Sequence, residues 1–188
     1  MKVGEIISAI EEFAPLSIQE KWDNSGLIIG SPNQEVHKLL IGFDCTPELV
    51  DEAVASGADM ILTHHPLIFG GLKKISPEDP VGLAVMKAVS AGIAVYAAHT
   101  TADKVLAGVS GAMASRLGLV NVSILESEGD GSTGLGAVGD LPKPLSAEEA
   151  VTLVKEKFSL KAARWSRLVN VPVSRIAMCG GSGSSLIS

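Results

Sequence analysis

Three of the four histidines in this chain, His64, His65 and His99, stand directly after short apolar runs, and Asp103 follows four residues after the last of them. Imidazole and carboxylate donors together suit Zn²⁺, Mn²⁺, Fe²⁺ or Ni²⁺, with neutral histidine as the ligand. Two such ions can share and activate a water by lowering its pKa toward neutrality. Asp44 also ends an apolar run, and reads equally as a ligand or as a cap on the helix that follows. Each of the other groups has a plainer reading. Asp103 is a first-turn carboxylate favoured by the helix macrodipole, and His99 is a group that orients a ligand or substrate. His37 precedes an apolar run and reads as a surface residue.

The elements that must hold these groups are legible from periodicity and punctuation. The run Met60-Ile61-Leu62 follows Gly57 and is closed by Pro66, which cannot donate to a ladder. It is a buried strand, with His64 and His65 in the loop at its C-terminal end. Neighbouring residues on an extended segment point to opposite sides, so each ring is expected to hold a different one of two ions. The apolar run 38–43 is a strand ending at Asp44. Thr46-Pro47 then opens a helix that stops at Gly57. Strand, helix and strand make a right-handed parallel crossover. A helix over 81–91, a strand over 93–98 ending at His99 and a helix over 102–117 continue the pattern. In a parallel sheet all these strand ends share the edge where open α/β sheets bind ligands.

Upstream, Val3, Ile6, Ile7, Ile10 and Phe13 mark an amphipathic helix. Residues 22–26 read as a β-turn in which Asp23 or Asn24 bonds local backbone, or as a loop lining a cleft. Downstream, the polar stretch 126–132 reads as a linker, dividing the chain into 1–126, an α/β domain with the His/Asp cluster, and 127–188, an incomplete second α/β domain. There a strand is expected over 134–140, a helix to 157 behind the Ser146/Glu149 capping box, and strands over 161–165 and 175–179. The glycine- and serine-rich end, 179–188, is a frayed tail or a nest of backbone amides for an anion.

Composition bounds the function. A chain that is 46% hydrophobic but only 4% aromatic has an aliphatic α/β core. A formal charge of −6 argues against a nucleic-acid surface. Cys45 and Cys179 lie far apart, in no metal-type spacing, as reduced cytosolic thiols do. Acidic residues near the N-terminus and no apolar run of membrane-spanning length imply no signal peptide, no membrane partner and a cytoplasmic location.

Trp22-Asp23-Asn24-Ser25-Gly26-Leu27, Thr63-His64-His65-Pro66-Leu67, Tyr96-Ala97-Ala98-His99-Thr100 with Asp103, and Cys179-Gly180-Gly181-Ser182-Gly183 occur in this order along the whole chain. They resemble the Nif-three-like proteins, also described as dinuclear metal-centre proteins or GTP cyclohydrolase I type 2 homologues. The resemblance implies two similar α/β halves around a central cleft and assembly as a homohexameric ring. It implies two divalent ions per subunit, with His64 and His65 ligating one each, Asp103 as a further ligand and His99 beside the site. It also implies a C-terminal His-x-x-x-Glu pair, with the glutamate bridging the ions, whereas this chain has no histidine after His99 and ends at Ser188.

Three functions compete on these grounds. The first is a metal-dependent hydrolase of a nucleotide or related small molecule, with His99 shuttling a proton and the glycine-rich loop holding phosphate. The second is a non-catalytic metal-binding or scaffold oligomer, since a shared fold does not fix chemistry. The third is a truncated, inactive homologue.

Overall fold

Val3, Ile6, Ile7 and Ile10 recur at helical spacing and form one face of α1 (Val3–Phe13). In this computed structural model residues 1–168, 170–181 and 183–186 are described. They pack as two units, Met1–Ala102 and Asp103–Ser188.

The first unit is built on a four-stranded sheet in the order β1-β4-β3-β2, from β1 (Gly26–Ile29), β2 (Leu39–Gly42), β3 (Met60–Thr63) and β4 (Ala94–Ala97). β2, β3 and β4 run parallel, as the crossover reading requires, and β1 is antiparallel to β4. Alternation along the strands separates two apolar layers. Met60, Ala94 and Tyr96 face α1 with Val3, Ile6, Ile7 and Ile10. Ile61 and Val95 face the opposite way, onto Val50 and Ala53 of α2 (Pro47–Ser56) and Ala84, Val85 and Ala88 of α3 (Pro80–Ser90). Thr46 caps α2 by accepting the Leu49 N–H, and Gly57 closes it at φ 70°, a left-handed conformation open to glycine. The parallel register Leu62↔Tyr96 and Ile41↔Leu62 brings the C-terminal ends of β2, β3 and β4 level, so Asp44, His64, His65 and His99 emerge at one edge.

The second unit holds a three-stranded antiparallel sheet, β5 (Val120–Glu128), β6 (Thr133–Leu145) and β7 (Val173–Met178), with β6 central. Ala114 and Leu117 of α5 (Val109–Leu117) pack with Ala137, Leu141 and Leu153, the last from α6 (Ala147–Lys157). Ser146 and Glu149 form the expected capping box on α6.

Four sequence expectations need correction. The helix read over 102–117 is two, α4 (Thr100–Lys104) and α5. Between them Val105 leaves the helix to pair with Thr133, and the Gly108 N–H turns back to the Val105 carbonyl. The stretch 126–132 is no linker: Glu126–Glu128 belong to β5, and the turn to β6 is tightened by Asp130, which accepts from the Ser132 N–H and hydroxyl. Its polarity reflects an exposed hairpin end, and the packing divides the chain at Ala102 rather than after Glu126. No strand forms over 161–165 among the described residues, where β5, β6 and β7 make up the whole sheet. Of the glycine-rich end read as an anion nest, Ser182, Ile187 and Ser188 lie outside the described residues.

Candidate metal centre

His64 and His65 follow β3 directly, and His99 follows β4 one strand over. One ligand nitrogen from each of the three rings lies within 4.8 Å of the others. The expectation that His64 and His65 point apart is therefore corrected. The strand ends at Thr63, whose hydroxyl donates to the His65 carbonyl at 2.8 Å. Beyond that bend strict alternation no longer applies, and the two ring centroids stand only 4.9 Å apart.

Each ring is held through Nδ1. His64 Nδ1 lies 3.2 Å from the Ala98 carbonyl oxygen, His65 Nδ1 2.6 Å from Asp44 Oδ1, and His99 Nδ1 2.7 Å from Asp23 Oδ1. A carbonyl can only accept, so His64 carries its proton on Nδ1. The two carboxylates impose the same tautomer on His65 and His99. The nitrogen with a lone pair for an ion is then Nε2 in all three, the arrangement in which outer partners orient metal-ligating histidines. Two nitrogens on one tetrahedral ion at about 2.0–2.1 Å stand about 3.3 Å apart, so any two of these rings that shared a cation would have to be about that close. The donor set fits a divalent transition metal.

Asp44 is thus placed differently from its capping reading. Thr46 caps α2, and Asp44 orients His65. Asp23 is the residue that sequence reasoning missed, having been read as a turn residue or a cleft-lining one. Its carboxylate is fully buried and accepts from His99 Nδ1, from the Thr100 N–H at 3.1 Å, from the Thr100 hydroxyl, from the Ser25 hydroxyl at 2.8 Å and from the Asn24 N–H at 2.7 Å. Burial pushes this carboxyl up, yet the donors Thr100, His99, Ser25 and Asn24 together outweigh it and hold the pKa at about 2. Its sequence signals are the density of short polar residues in Asp23-Asn24-Ser25 and its place in the first of the family-like motifs, neither of which names His99 as its partner. The antiparallel pairing of Gly26 with Ala97 is what carries that loop to His99.

Asp103 sits on α4, at the start of the second unit, where its charge helps to raise the Cys179 thiol above its ordinary pKa, after burial as the larger cause. His37 is exposed beside the Asp59 carboxylate at 3.6 Å, as a surface residue should be.

Aromatic rings surround the imidazoles. Phe43 stacks on His64 with centroids 5.3 Å apart and planes at 18°, and meets His65 edge-on at 4.6 Å. Trp22 and Phe69 each approach His99 at 6.0 Å.

The sequence and the fold have counterparts. Residues 1–188 match the model of the Duf34/NIF3 (NGG1p interacting factor 3) family. A Clostridium perfringens protein described as a GTP cyclohydrolase 1 type 2 homolog is 34% identical over 184 residues, covering 97% of this chain and 70% of its own. A Streptomyces coelicolor protein with the same description is 37% identical over 191 residues, covering 98% and 67%. Among solved structures, a hypothetical protein of Staphylococcus aureus superposes with a TM-score of 0.93 at 28% identity, covering 98% of this chain and 73% of its own. A Bacillus cereus protein described as related to NIF3 gives 0.90 at 25% identity, covering 97% and 77%.

Proposed function

This chain belongs to the Duf34/NIF3 family, and from that premise we propose that it is a divalent-metal-binding protein of the dinuclear type that hydrolyses a nucleotide or related small molecule. The observation that carries the reading is the convergence of three imidazoles, each with Nδ1 held by an acceptor. In this reading His64 and His65 ligate one ion each, and Asp103 supplies a carboxylate ligand, as the family resemblance implies. Bound divalent ions would supply Lewis acidity and lower the pKa of a substrate water. Asp44 fixes the ring of His65. Asp23 keeps the proton of His99 on Nδ1, so that Nε2 is the atom that takes up or delivers a proton beside the reacting group. The proximity of His99 to the other two rings favours a second role, as a third ligand. The GTP cyclohydrolase description of the relatives motivates a nucleotide substrate. Assembly as a homohexamer belongs to the same proposal, and sedimentation velocity reads it directly.

Calorimetry with Mn²⁺ and Zn²⁺ on the wild type and on the H64A/H65A variant tests the metal, and GTP turnover by the loaded protein tests the chemistry. The expected result is uptake of up to two ions per chain, lost in the double variant, with turnover lost alongside. H99A separates the two roles of His99: a proton carrier leaves uptake intact and abolishes turnover, whereas a ligand lowers uptake. A wild type that takes up no divalent ion overturns the proposal. Uptake without turnover leaves the metal site and removes the hydrolase.

A further inference from the structure

The chain has only two tryptophans and four phenylalanines, yet Trp22, Phe43 and Phe69 are gathered around the three imidazoles instead of filling the core. They remain 59%, 64% and 55% exposed. Single exposed apolar side chains are ordinary, but a cluster from three separate segments is a mark of binding. Trp22 comes from the loop before β1, Phe43 from the end of β2 and Phe69 from the loop after β3. Their placement is not slack. The Asn24 side-chain amide donates to the Ile68 carbonyl, tying the Trp22 loop to the Phe69 loop. The two rings are held with centroids 5.8 Å apart and planes opened at 45°. Both stand edge-on to His99, with interplanar angles of 70° and 75°. Phe43 stacks on His64 and meets His65 edge-on, yet most of its surface stays exposed.

A ligand that reaches the three imidazoles comes up against these exposed aromatic rings as well. An alkyl chain would waste the imidazoles, and a sugar or bare phosphate would waste the rings. A planar nitrogen heterocycle uses both, stacking its faces on the aromatics while its polar edge reaches the histidine cluster. We propose that Trp22, Phe43 and Phe69 form a stacking rim that receives the planar heterocyclic ring of the ligand and aims its polar edge at His64, His65 and His99. The proposal rests on the reading of this cluster as a metal centre acting on a small molecule, and adds which part of that molecule the protein grips and with what.

The test uses the W165F variant, which leaves Trp22 as the sole tryptophan, titrated with guanosine monophosphate and, separately, with ribose 5-phosphate. Both titrations are run on Mn²⁺-loaded and on chelator-treated protein. The expected result is saturable quenching of Trp22 emission by guanosine monophosphate and none by ribose 5-phosphate. Adding F69A should weaken guanosine monophosphate binding about 5- to 100-fold, with Mn²⁺ affinity within about twofold of the parent by calorimetry, and F43A should weaken nucleotide binding by a similar factor. Equal binding of both probes, or nucleotide binding that leaves Trp22 unquenched and F69A unchanged, overturns the rim while the metal centre stands. A Trp22 signal that responds to protein concentration and not to nucleotide also overturns it, assigning the rings to contact between copies. Failure of the parent reading shows separately, as absence of Mn²⁺ uptake.

Discussion

Replacing Asp23 by asparagine probes the least expected part of this site. The side chain is fully buried, so its interactions are little screened by solvent. Its pKa of about 2, against an ordinary 3.8, corresponds to about 2 kcal/mol of stability held by the ionised form. Asparagine preserves shape but offers one acceptor and one donor. If its amide nitrogen faces Thr100, the Thr100 N–H opposes another donor; if it faces His99, Nδ1–H does. Either way one buried donor is orphaned. We expect D23N to unfold about 2 kcal/mol more easily at pH 7 in urea. The sign with pH follows from the depressed folded pKa. The ionic contribution is complete above pH 3.8 and is lost as pH falls through about 2, so the gap between wild type and variant should shrink to about half its ionic part by pH 3. His99 also loses its orienting partner, and metal affinity should fall about 10- to 100-fold. Coincident urea midpoints at pH 7, or a gap that is unchanged between pH 7 and pH 3, would refute the reasoning.

Asp44 orients His65 from an exposed position, so D44A should leave the melting temperature nearly unchanged and weaken Zn²⁺ binding about tenfold by calorimetry; a large loss of stability with unaltered affinity would contradict this. The chain's sole tyrosine, Tyr96, is buried, and burial, the nearby Glu11 charge and its hydrogen bond to Glu11 at 3.2 Å all raise its pKa. Absorbance at about 295 nm should therefore rise only well above the ordinary phenol range until the protein unfolds, and a native midpoint near 10 would count against that packing. Burial pushes the Cys45 thiol up to about 11, leaving about a thousandth as thiolate at pH 8. Iodoacetamide should label Cys45 only on unfolding, as mass spectrometry would show, and rapid native labelling would contradict its burial.

Much of the site was legible because its signals are local. A short apolar run closed by Pro66 predicts a strand end at His64 and His65, and Thr46-Pro47 followed by Gly57 predicts α2 with its caps. The parallel crossover rule then puts His99 on the same edge. What stayed hidden depends on non-local pairing. Asp23 becomes a buried acceptor only because β1 runs antiparallel to β4, and nothing within a few residues of Asp23 encodes that partner. Val105 leaves its helix for a bridge to Thr133, although the apolar spacing through 102–117 suits a continuous helix. The approach of His64 to His65 was missed for another reason: alternation holds within a strand, and these residues lie just beyond one.

The most direct test is crystallographic. Crystals grown with Zn²⁺ and measured at the zinc absorption edge should give anomalous peaks about 2.0–2.1 Å from nitrogens of His64 and His65, in a number that also counts the ions. Anomalous density confined to other residues, with none at these two rings, would contradict the account.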